Sequence, residues 1–492
     1  MPDNSQRPQY REDEHIVEDR NLSLFQALIP VLALVGMLAY NVFVFGDASL
    51  DGSNQFILLM GGAVAAVVGM FNKVGFKRMI DEVAENVKST TGALLILLMV
   101  GALSGSWLVS GIIPAMIYYG LQILNPTIFL AATVVICCII SVATGSSWTT
   151  SATVGIALIG IGNALGVPMG MTAGAVLSGA YFGDKMSPLS DTTNLAPAMA
   201  GADLFTHIRY MAMTTTPTIL VTLIAFVVMG LYVDPVGDAD TAAILAIIDG
   251  TFDINAWLFL VPLAVIAMIV KKTSPLVALM TGTLLAALFA LIFQPGLVAS
   301  LGGSADSAFQ STYKGIMNAL TVEIQIPTDS PALSKLFTSG GMAGMLGTIW
   351  LIICAMVFGG VMDGIGALER ITESLLKMAK TTFGLFASTV GSCLALNITA
   401  SDQYLAIVVP GKMFSKAYEE RGLAPENLSR TLEDSGTVTS VLIPWNTCGA
   451  YHSSVLGVGV GEYFLFAIFN WLSPITTLIF AALKIKIKQL GQ

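Results

Sequence analysis

Long apolar runs, each about twenty residues in length, restrict this chain to a small number of folds. An α-helix rises about 1.5 Å per residue, so a run of this length crosses the hydrocarbon core of a bilayer. Only 11% of the 492 residues are charged, whereas soluble proteins average roughly 25%. The sequence therefore predicts an all-α polytopic membrane protein with about ten full spans.

The positions of the charges predict the orientation of the chain. The net charge is −9, and the acidic residues concentrate at the N-terminus and in 231–253, so no basic face for nucleic acid is expected. Lys and Arg follow alternate spans, for example at Lys73 and Lys77 and again at Lys484. The positive-inside rule places these segments in the cytoplasm. Both termini are then predicted to be cytoplasmic, in the inner membrane of a prokaryotic cell.

Two polar interruptions break the apolar pattern of the first half. One lies within 126–165 and contains Ser146 and Ser147, and the other covers 183–194. Backbone groups in such segments would be unpaired if they faced lipid, so the segments must be buried in protein or line a wet cavity. Interruptions of this kind mark the binding site in transporters with discontinuous helices.

The second half repeats both interruptions, at 396–404 and 437–448. A single offset of 255 residues places Thr144 on Thr399, and it superimposes the other breaks as follows: Ser146 on Ser401, Ser147 on Asp402, Asp191 on Asn446 and Thr192 on Thr447. The same offset places Gly105 on Gly360, so three separate breaks keep their spacing, which indicates an internal repeat.

The charge rule makes the two copies run in opposite directions, with 91–119 outward and 338–366 inward. We therefore predict two inverted-topology repeats, each with a re-entrant hairpin (127–165 and 383–415) and a broken helix. The predicted segments are a cytoplasmic tail (1–21), scaffold helices (22–90), transport repeat 1 (91–233), scaffold helices with an outer polar segment (234–337), transport repeat 2 (338–485) and a cytoplasmic end (486–492).

Acidic residues inside these breaks need a functional explanation, because a charge at mid-membrane costs about 2.5–3.5 kcal/mol. Carboxylate, hydroxyl and free carbonyl oxygens suit a small hard cation, and a carboxylate can hold a proton instead. The predicted ion-binding residues are Ser146, Ser147, Asp184, Ser187, Asp191, Thr192, Ser401, Asp402, Asn446 and Thr447. Among them we predict Asp191, Asp402 and Asp184 as proton-coupling residues, and Asp191, Asp402 and Asn446 as direct ligands of the metal ion.

Purely structural roles compete with the functional ones at several acids. Asp184 could pair with its neighbour Lys185 at a helix end, so it ranks below Asp191. Glu433 and Asp434 are predicted to lie in a solvated helix start. His452 is predicted to be a hydrogen-bonded core histidine.

Two of the polar runs resemble signature segments of the NhaC-type sodium/proton antiporter family, namely GSSWTTSA at 145–152 and GAYFGDKMSPLSDTT at 179–193. With 101–107 and 442–447, the likeness covers most of 90–485. The resemblance implies an elevator, in which a transport domain that carries the hairpins moves against a scaffold, commonly within a homodimer. It also implies that the site includes the residues of these segments named above, which are Ser146, Ser147, Asp184, Ser187, Asp191, Thr192, Asn446 and Thr447. The family includes malate/lactate exchangers, so the resemblance leaves the substrate open.

The sequence thus predicts a secondary transporter that expels Na⁺ in exchange for H⁺, with no cofactor besides the transported ions. The alternative is a Na⁺- or H⁺-coupled carrier of a small organic anion such as malate or lactate. A substrate arginine would favour that alternative, but every candidate lies in a predicted loop (Arg209, Arg370, Arg421, Arg430). A channel would show a ring of charges along its pore, and no nucleophile–base pair indicates an enzyme.

Overall fold

The computed structural model describes residues 22–45, 52–124, 126–232, 241–271, 273–303 and 307–490, and most of them are helical. The predicted cytoplasmic tail, 1–21, lies outside the described residues.

The helices of the first half are broken where the sequence places polar residues. A π-helical turn, Ser151–Gly155, joins two of them. The ten helices of the first half are α1 (Leu24–Phe45), α2 (Ser53–Phe71), α3 (Phe76–Val109), α4 (Ile112–Ile123), α5 (Pro126–Thr144), α6 (Ser147–Thr150), α7 (Ile156–Ala164), α8 (Met169–Met186), α9 (Asp191–Ala200) and α10 (Leu204–Tyr232).

The connecting region contains helices and one small sheet. Two short strands of the outer polar segment pair antiparallel and so satisfy their backbone groups, within a described chain that is otherwise mostly helical, as the sequence predicts. The elements are α11 (Thr241–Thr251), a 3₁₀ turn (Ala256–Phe259), α12 (Leu260–Val270), α13 (Pro275–Phe293), α14 (Pro295–Leu301), α15 (Ala308–Thr321), β1 (Ile324–Gln325), α16 (Pro331–Leu336) and β2 (Thr338–Ser339).

The second half again consists of helices with breaks. A π-helical turn, Glu433–Thr437, continues α22 and is followed by a 3₁₀ turn, Ser440–Leu442. The helices are α17 (Gly341–Gly344), α18 (Leu346–Gly364), α19 (Ala367–Met378), α20 (Thr382–Thr399), α21 (Gln403–Glu419), α22 (Pro425–Leu432), α23 (Thr447–Leu456), α24 (Val460–Tyr463) and α25 (Ile468–Ala482).

Eight helices of the described chain are long and apolar enough to cross a membrane, or nine spans if a bent pair in 242–270 counts as one. This agrees with a polytopic membrane protein. The predicted total of about ten spans stays a prediction, because α8 contains charged residues and α25 has only 15 residues.

The helix bounds repeat between the two halves, with one correction to the predicted register. The offset is 255 residues up to the ends of α5 and α20, at Thr144 and Thr399, but 256 afterwards, since α9 starts at Asp191 and α23 at Thr447. The second tip contains one extra residue, Ala400, between the end of its helix and the left-handed Ser401 (φ 60°). The predicted pairings beyond Thr144 are therefore wrong by one residue.

The first hairpin packs closely on α8 and so positions the site. α5 runs along α8, and a Cβ added to Gly183 of α8 would lie 2.4 Å from Ser141 Cβ of α5. Only glycine permits this approach. At the tip, Gly145 has a φ of +70°, which turns the chain from α5 into α6. The C-terminal end of α8 is thereby held next to the hairpin tip.

Candidate functional site

A cavity of about 690 Å³ lies between the two polar breaks of the first half and those of the second. Both hairpin tips contribute to it, together with the starts of α9 and α23. Five of the ten predicted ion-binding residues line it, and they are Ser146, Asp184, Asp191, Asp402 and Thr447. The predicted residues from distant parts of the chain thus surround one space.

Asp184 is buried and held by hydrogen bonds from both polar breaks of the first half. Its Oδ2 accepts from Ser147 Oγ at 2.6 Å and from the Ser147 backbone N–H at 3.2 Å. Its Oδ1 accepts from Ser190 Oγ at 2.6 Å. Ser190 is also the N-cap of α9, where it accepts from the Thr193 N–H. Three donors therefore fix both carboxylate oxygens of Asp184 at the cavity wall.

Asp191 lies in the first turn of α9 and is exposed, in contrast to Asp184. Its Oδ2 accepts a hydrogen bond of 2.5 Å from the Tyr404 hydroxyl in α21. This bond joins the first half of the chain to the second across the cavity. The sequence ranked Asp191 above Asp184, but the structure places Asp184 deeper in the protein.

Asp402 is the buried N-cap of α21, with Oδ1 accepting from the Tyr404 and Leu405 N–H groups at 2.8 and 3.0 Å. It therefore has a capping role that the sequence analysis did not assign. Ser146 is the matching cap of the first hairpin, since its Oγ accepts from Thr149 N. In the corrected register these two caps are counterparts.

The other predicted residues lie behind the cavity wall and support it. Asn446 is fully buried and caps α23 through Cys448 N at 3.0 Å, and it donates to Asn397. Ser401 accepts from Thr447 N at 2.9 Å through its carbonyl. The remaining three are also buried, and each of their hydroxyl groups has a protein partner: Ser147, Ser187 and Thr192.

Several residues of the cavity wall were missed by the sequence analysis. Gln403 and Tyr404 follow the second tip directly, and Trp148 lies inside the first. Each of these three residues lies within two positions of a residue predicted to bind the ion, and this proximity could have indicated them. The opposite wall comes from α3 and the α12–α13 connection, at Ser89, Thr90, Gly92, Ala93, Ile96, Ile269, Thr273, Ser274 and Pro275, and no sequence pattern indicated that these segments are close.

The two halves also meet beside the tips. The Trp148 and Tyr451 rings stack with centroids 3.9 Å apart, and the Tyr451 hydroxyl donates to Trp148 O. His452 Nδ1 lies 3.0 Å from Ser151 Oγ and the side chain is buried. The prediction of a hydrogen-bonded core histidine is confirmed.

A second group of charged residues is buried behind Asp184, where the sequence predicted solvated loops and helix ends. Lys185 forms an ion pair with Asp434 rather than with Asp184, and both side chains have no exposure. The alternative in which Asp184 pairs with Lys185 does not hold, because Lys185 on the next position of α8 points to α25 and the π-helical turn.

The prediction of a solvated helix start at Glu433 and Asp434 is also wrong, since both have no exposure. Asp434 accepts from the hydroxyl groups of Thr214 and Thr477 as well as from Lys185. Arg430, assigned to a loop from the sequence, is fully buried and lies over the Tyr210 ring at 4.6 Å. The helix α22 is buried because other helices cover all its sides, which its polar sequence does not reveal.

The charges of the cavity wall favour a cation. Three carboxyl groups line it, at Asp184, Asp191 and Asp402, and its described lining residues include no Lys or Arg. Among the described residues no group of three His, Cys, Asp or Glu side chains could hold a metal ion by itself. A bound cation would therefore use hydroxyl and carbonyl oxygens of the tips besides carboxylates.

Comparison with known proteins adds a family to this geometry. The model of the "Na+/H+ antiporter family" matches residues 179–485. "Na(+)/H(+) antiporter NhaC" of Alkalihalophilus pseudofirmus is 38% identical over 86% of this chain and 88% of the relative. The protein of the same name from Bacillus subtilis is 36% identical over 82% and 86%. "Malate-2H(+)/Na(+)-lactate antiporter" of Bacillus subtilis is 35% identical over 92% of both chains.

Proposed function

Because this chain belongs to the Na⁺/H⁺ antiporter family, we propose that it is a secondary transporter that exchanges cytoplasmic Na⁺ for external H⁺. The observation that carries the proposal is the cavity between the two halves, with three carboxyl groups and no described Lys or Arg in its wall. Such a wall attracts a cation and repels an anion. Protons and Na⁺ are the cations that carboxylates can bind in turn.

The proposed cation site is at the end of α8. Asp184 supplies a buried carboxylate whose geometry is fixed by Ser147 and Ser190, and Asp402 and Asp191 supply further negative charge. The tips supply hydroxyl and free carbonyl oxygens. Asn446, proposed from the sequence as a ligand, has its amide engaged in the cap of α23, so its part is to hold the second tip.

We further propose an elevator of two inverted repeats in the inner membrane, with both termini cytoplasmic and two copies forming a homodimer. α3 and α18 pack on each other and on α2 and α13, whereas α5, α8, α9 and α20–α23 pack mainly among themselves. The first group is the proposed scaffold and the second the transport domain. This proposal moves α18 and the part of α3 after residue 90 from the transport repeats, where the sequence analysis placed them, to the scaffold. The cavity lies between them, as movement of one against the other requires.

We infer from the predicted orientation of the chain the side of the membrane to which the cavity opens. Its wall includes Ser89 in the first half of α3 and Thr273 at the α12–α13 connection. Both follow Lys residues predicted to be cytoplasmic, Lys88 and Lys271. The described conformation is therefore proposed to be inward-facing, ready to take Na⁺ from the cytoplasm.

A carrier of a small organic anion remains the second candidate, because a cavity of about 690 Å³ is far larger than a single Na⁺ needs. One relative is named for malate and lactate exchange. The acidic wall opposes a free dicarboxylate, so an organic anion would have to enter together with cations.

The test is transport by the purified protein in liposomes that contain a pH-sensitive dye. With Na⁺ as the only added solute, we expect Na⁺-dependent proton movement, and empty liposomes are the control. Absence of proton movement until malate or lactate is added would favour the carrier instead.

A further inference from the structure

Glu433 is a buried charged residue outside the cavity and, like Arg430 on the preceding turn, it lacks hydrogen-bond partners among the described residues. Its side chain has no exposure, and neither carboxylate oxygen has a hydrogen-bond partner among the described residues. It opens the π-helical turn Glu433–Thr437, a local distortion that often occurs at functional positions. The Thr437 hydroxyl in the same turn lies close to this carboxyl group but without the geometry of a hydrogen bond.

An ionised carboxylate without donors is very costly in such a place, so the group is stable there when it carries a proton. Asp434 next to it differs, because its charge is satisfied by Lys185 and by two threonine hydroxyl groups. Glu433 is therefore the acid of this buried group that has a reason to gain and lose a proton.

Glu433 interacts electrostatically with charged groups that lie beside the cavity. The elements packed on its turn are α9, α20, α21, α22 and α25. The ionisable groups that act on it are Asp184 and Lys185 of α8, Asp434 beside it and Cys393 of α20. Arg430 lies one turn earlier on the same helix, and His207 of α10 acts on Asp434 and Lys185. Glu433 takes no part in the hydrogen bonds of Asp184.

The negative charges of this buried region outnumber its paired positive charge. Three buried carboxyl groups, of Asp184, Glu433 and Asp434, share the region with Lys185, whereas the Arg430 guanidinium lies over the Tyr210 and Phe386 rings. The carboxylates of Asp184 and Glu433 repel each other when both are ionised, and a Na⁺ beside Asp184 cancels that repulsion. Bound Na⁺ therefore favours the ionised form of Glu433, and an ionised Glu433 attracts Na⁺ more strongly than a protonated one does.

We propose that Glu433 is the proton-binding site of the exchange, separate from the cation site at Asp184 and linked to it through charge. This inference rests on the proposed Na⁺/H⁺ exchange. When Na⁺ enters beside Asp184, the O–H bond of the Glu433 carboxyl group breaks and the proton leaves to water. When Glu433 takes up a proton, Na⁺ is released. Linkage requires the two effects to be equal in free energy.

The experiment measures ²²Na⁺ binding to the purified full-length protein as a function of pH, together with Na⁺/Na⁺ exchange and Na⁺/H⁺ exchange in liposomes. For the native protein we expect Na⁺ affinity to rise with pH and to level off at both ends, by a factor of about 5–150 in total. For Glu433→Gln we expect Na⁺ binding without pH dependence, retained Na⁺/Na⁺ exchange and loss of Na⁺/H⁺ exchange. Glu420→Gln, an exposed acid at the end of α21, is the control and should behave like the native protein.

The other outcomes separate the two proposals. If the native protein moves no protons with Na⁺, the proposed function fails. If the native protein exchanges but Glu433→Gln keeps its pH-dependent Na⁺ affinity, or loses Na⁺ binding altogether, the separate proton site is overturned while the proposed function stands. If Glu433→Gln is not monodisperse, Glu433→Asp retains the carboxyl group at a different position. Its pH profile should then shift, and an unchanged profile would overturn the inference.

Discussion

Replacement of Asp184 by Asn should separate the structural from the functional part of this carboxylate. In Asp184→Asn the amide oxygen can still accept from Ser147 Oγ and N, and the amide NH₂ can donate to Ser190 Oγ. Ser190 can then turn its own proton toward Thr192, 3.1 Å away. The hydrogen-bond network is preserved, so we expect stability to change by only about 1 kcal/mol.

The effect on Na⁺ should be much larger. A unit charge about 4 Å from the cation contributes about 4 kcal/mol at an effective dielectric constant of about 20. Its loss corresponds to roughly a thousandfold weaker Na⁺ affinity, at about 1.4 kcal/mol per factor of ten. In contrast, Asp184→Ala also leaves the buried Ser147 N–H without its acceptor, at a further cost of about 1–3 kcal/mol in stability.

The assay is the Na⁺ concentration that gives half-maximal proton movement in liposomes, with thermal unfolding measured on the same preparations. Asp203→Asn is the matched control, because Asp203 is an exposed acid between α9 and α10 that only bonds Thr206. A monodisperse Asp184→Asn protein with native Na⁺ dependence would refute the assignment of Asp184 to the cation site.

Three further predictions follow from the site and the repeat. Asp191→Asn should abolish Na⁺-coupled proton movement while the protein still inserts in the membrane, and native exchange rates would remove Asp191 from the site. Asp434→Asn should lower stability by about 3–5 kcal/mol because Lys185 is then a buried charge without its partner, which thermal unfolding measures; a native unfolding temperature would contradict this reasoning. In single-cysteine variants, Thr127→Cys should react with a membrane-impermeant maleimide from outside only and Thr382→Cys from inside only. Labelling of both from the same side would exclude inverted repeats.

The fold class, a mostly helical polytopic membrane protein, and the positions of the polar breaks could be predicted from the sequence. Apolar runs of membrane-spanning length and polar breaks at constant spacing are local properties of the chain, and the structure places helix ends at those breaks. Five of the residues that line the cavity, among them Asp184 and Asp402, could be predicted for the same reason. A polar break in a membrane segment has few places in which its backbone can be satisfied.

The register at the second tip could not be predicted with the same accuracy. One inserted residue beside Ser401 leaves the composition of the break unchanged but moves each later counterpart by one position. Only the capping geometry, with Asp402 in the position of Ser146 and Asn446 in that of Ser190, reveals it.

The partners of the buried charges were decided by the tertiary structure alone. Lys185 is adjacent to Asp184 in sequence, yet its charge pairs with Asp434, which is 249 positions away. Neighbouring residues on a helix point in different directions, so the helices that surround α8 determine which acid each side chain meets. The same holds for Glu433, since its sequence resembles a solvated helix start and only the packing of α20, α21 and α25 around its turn makes it a buried acid.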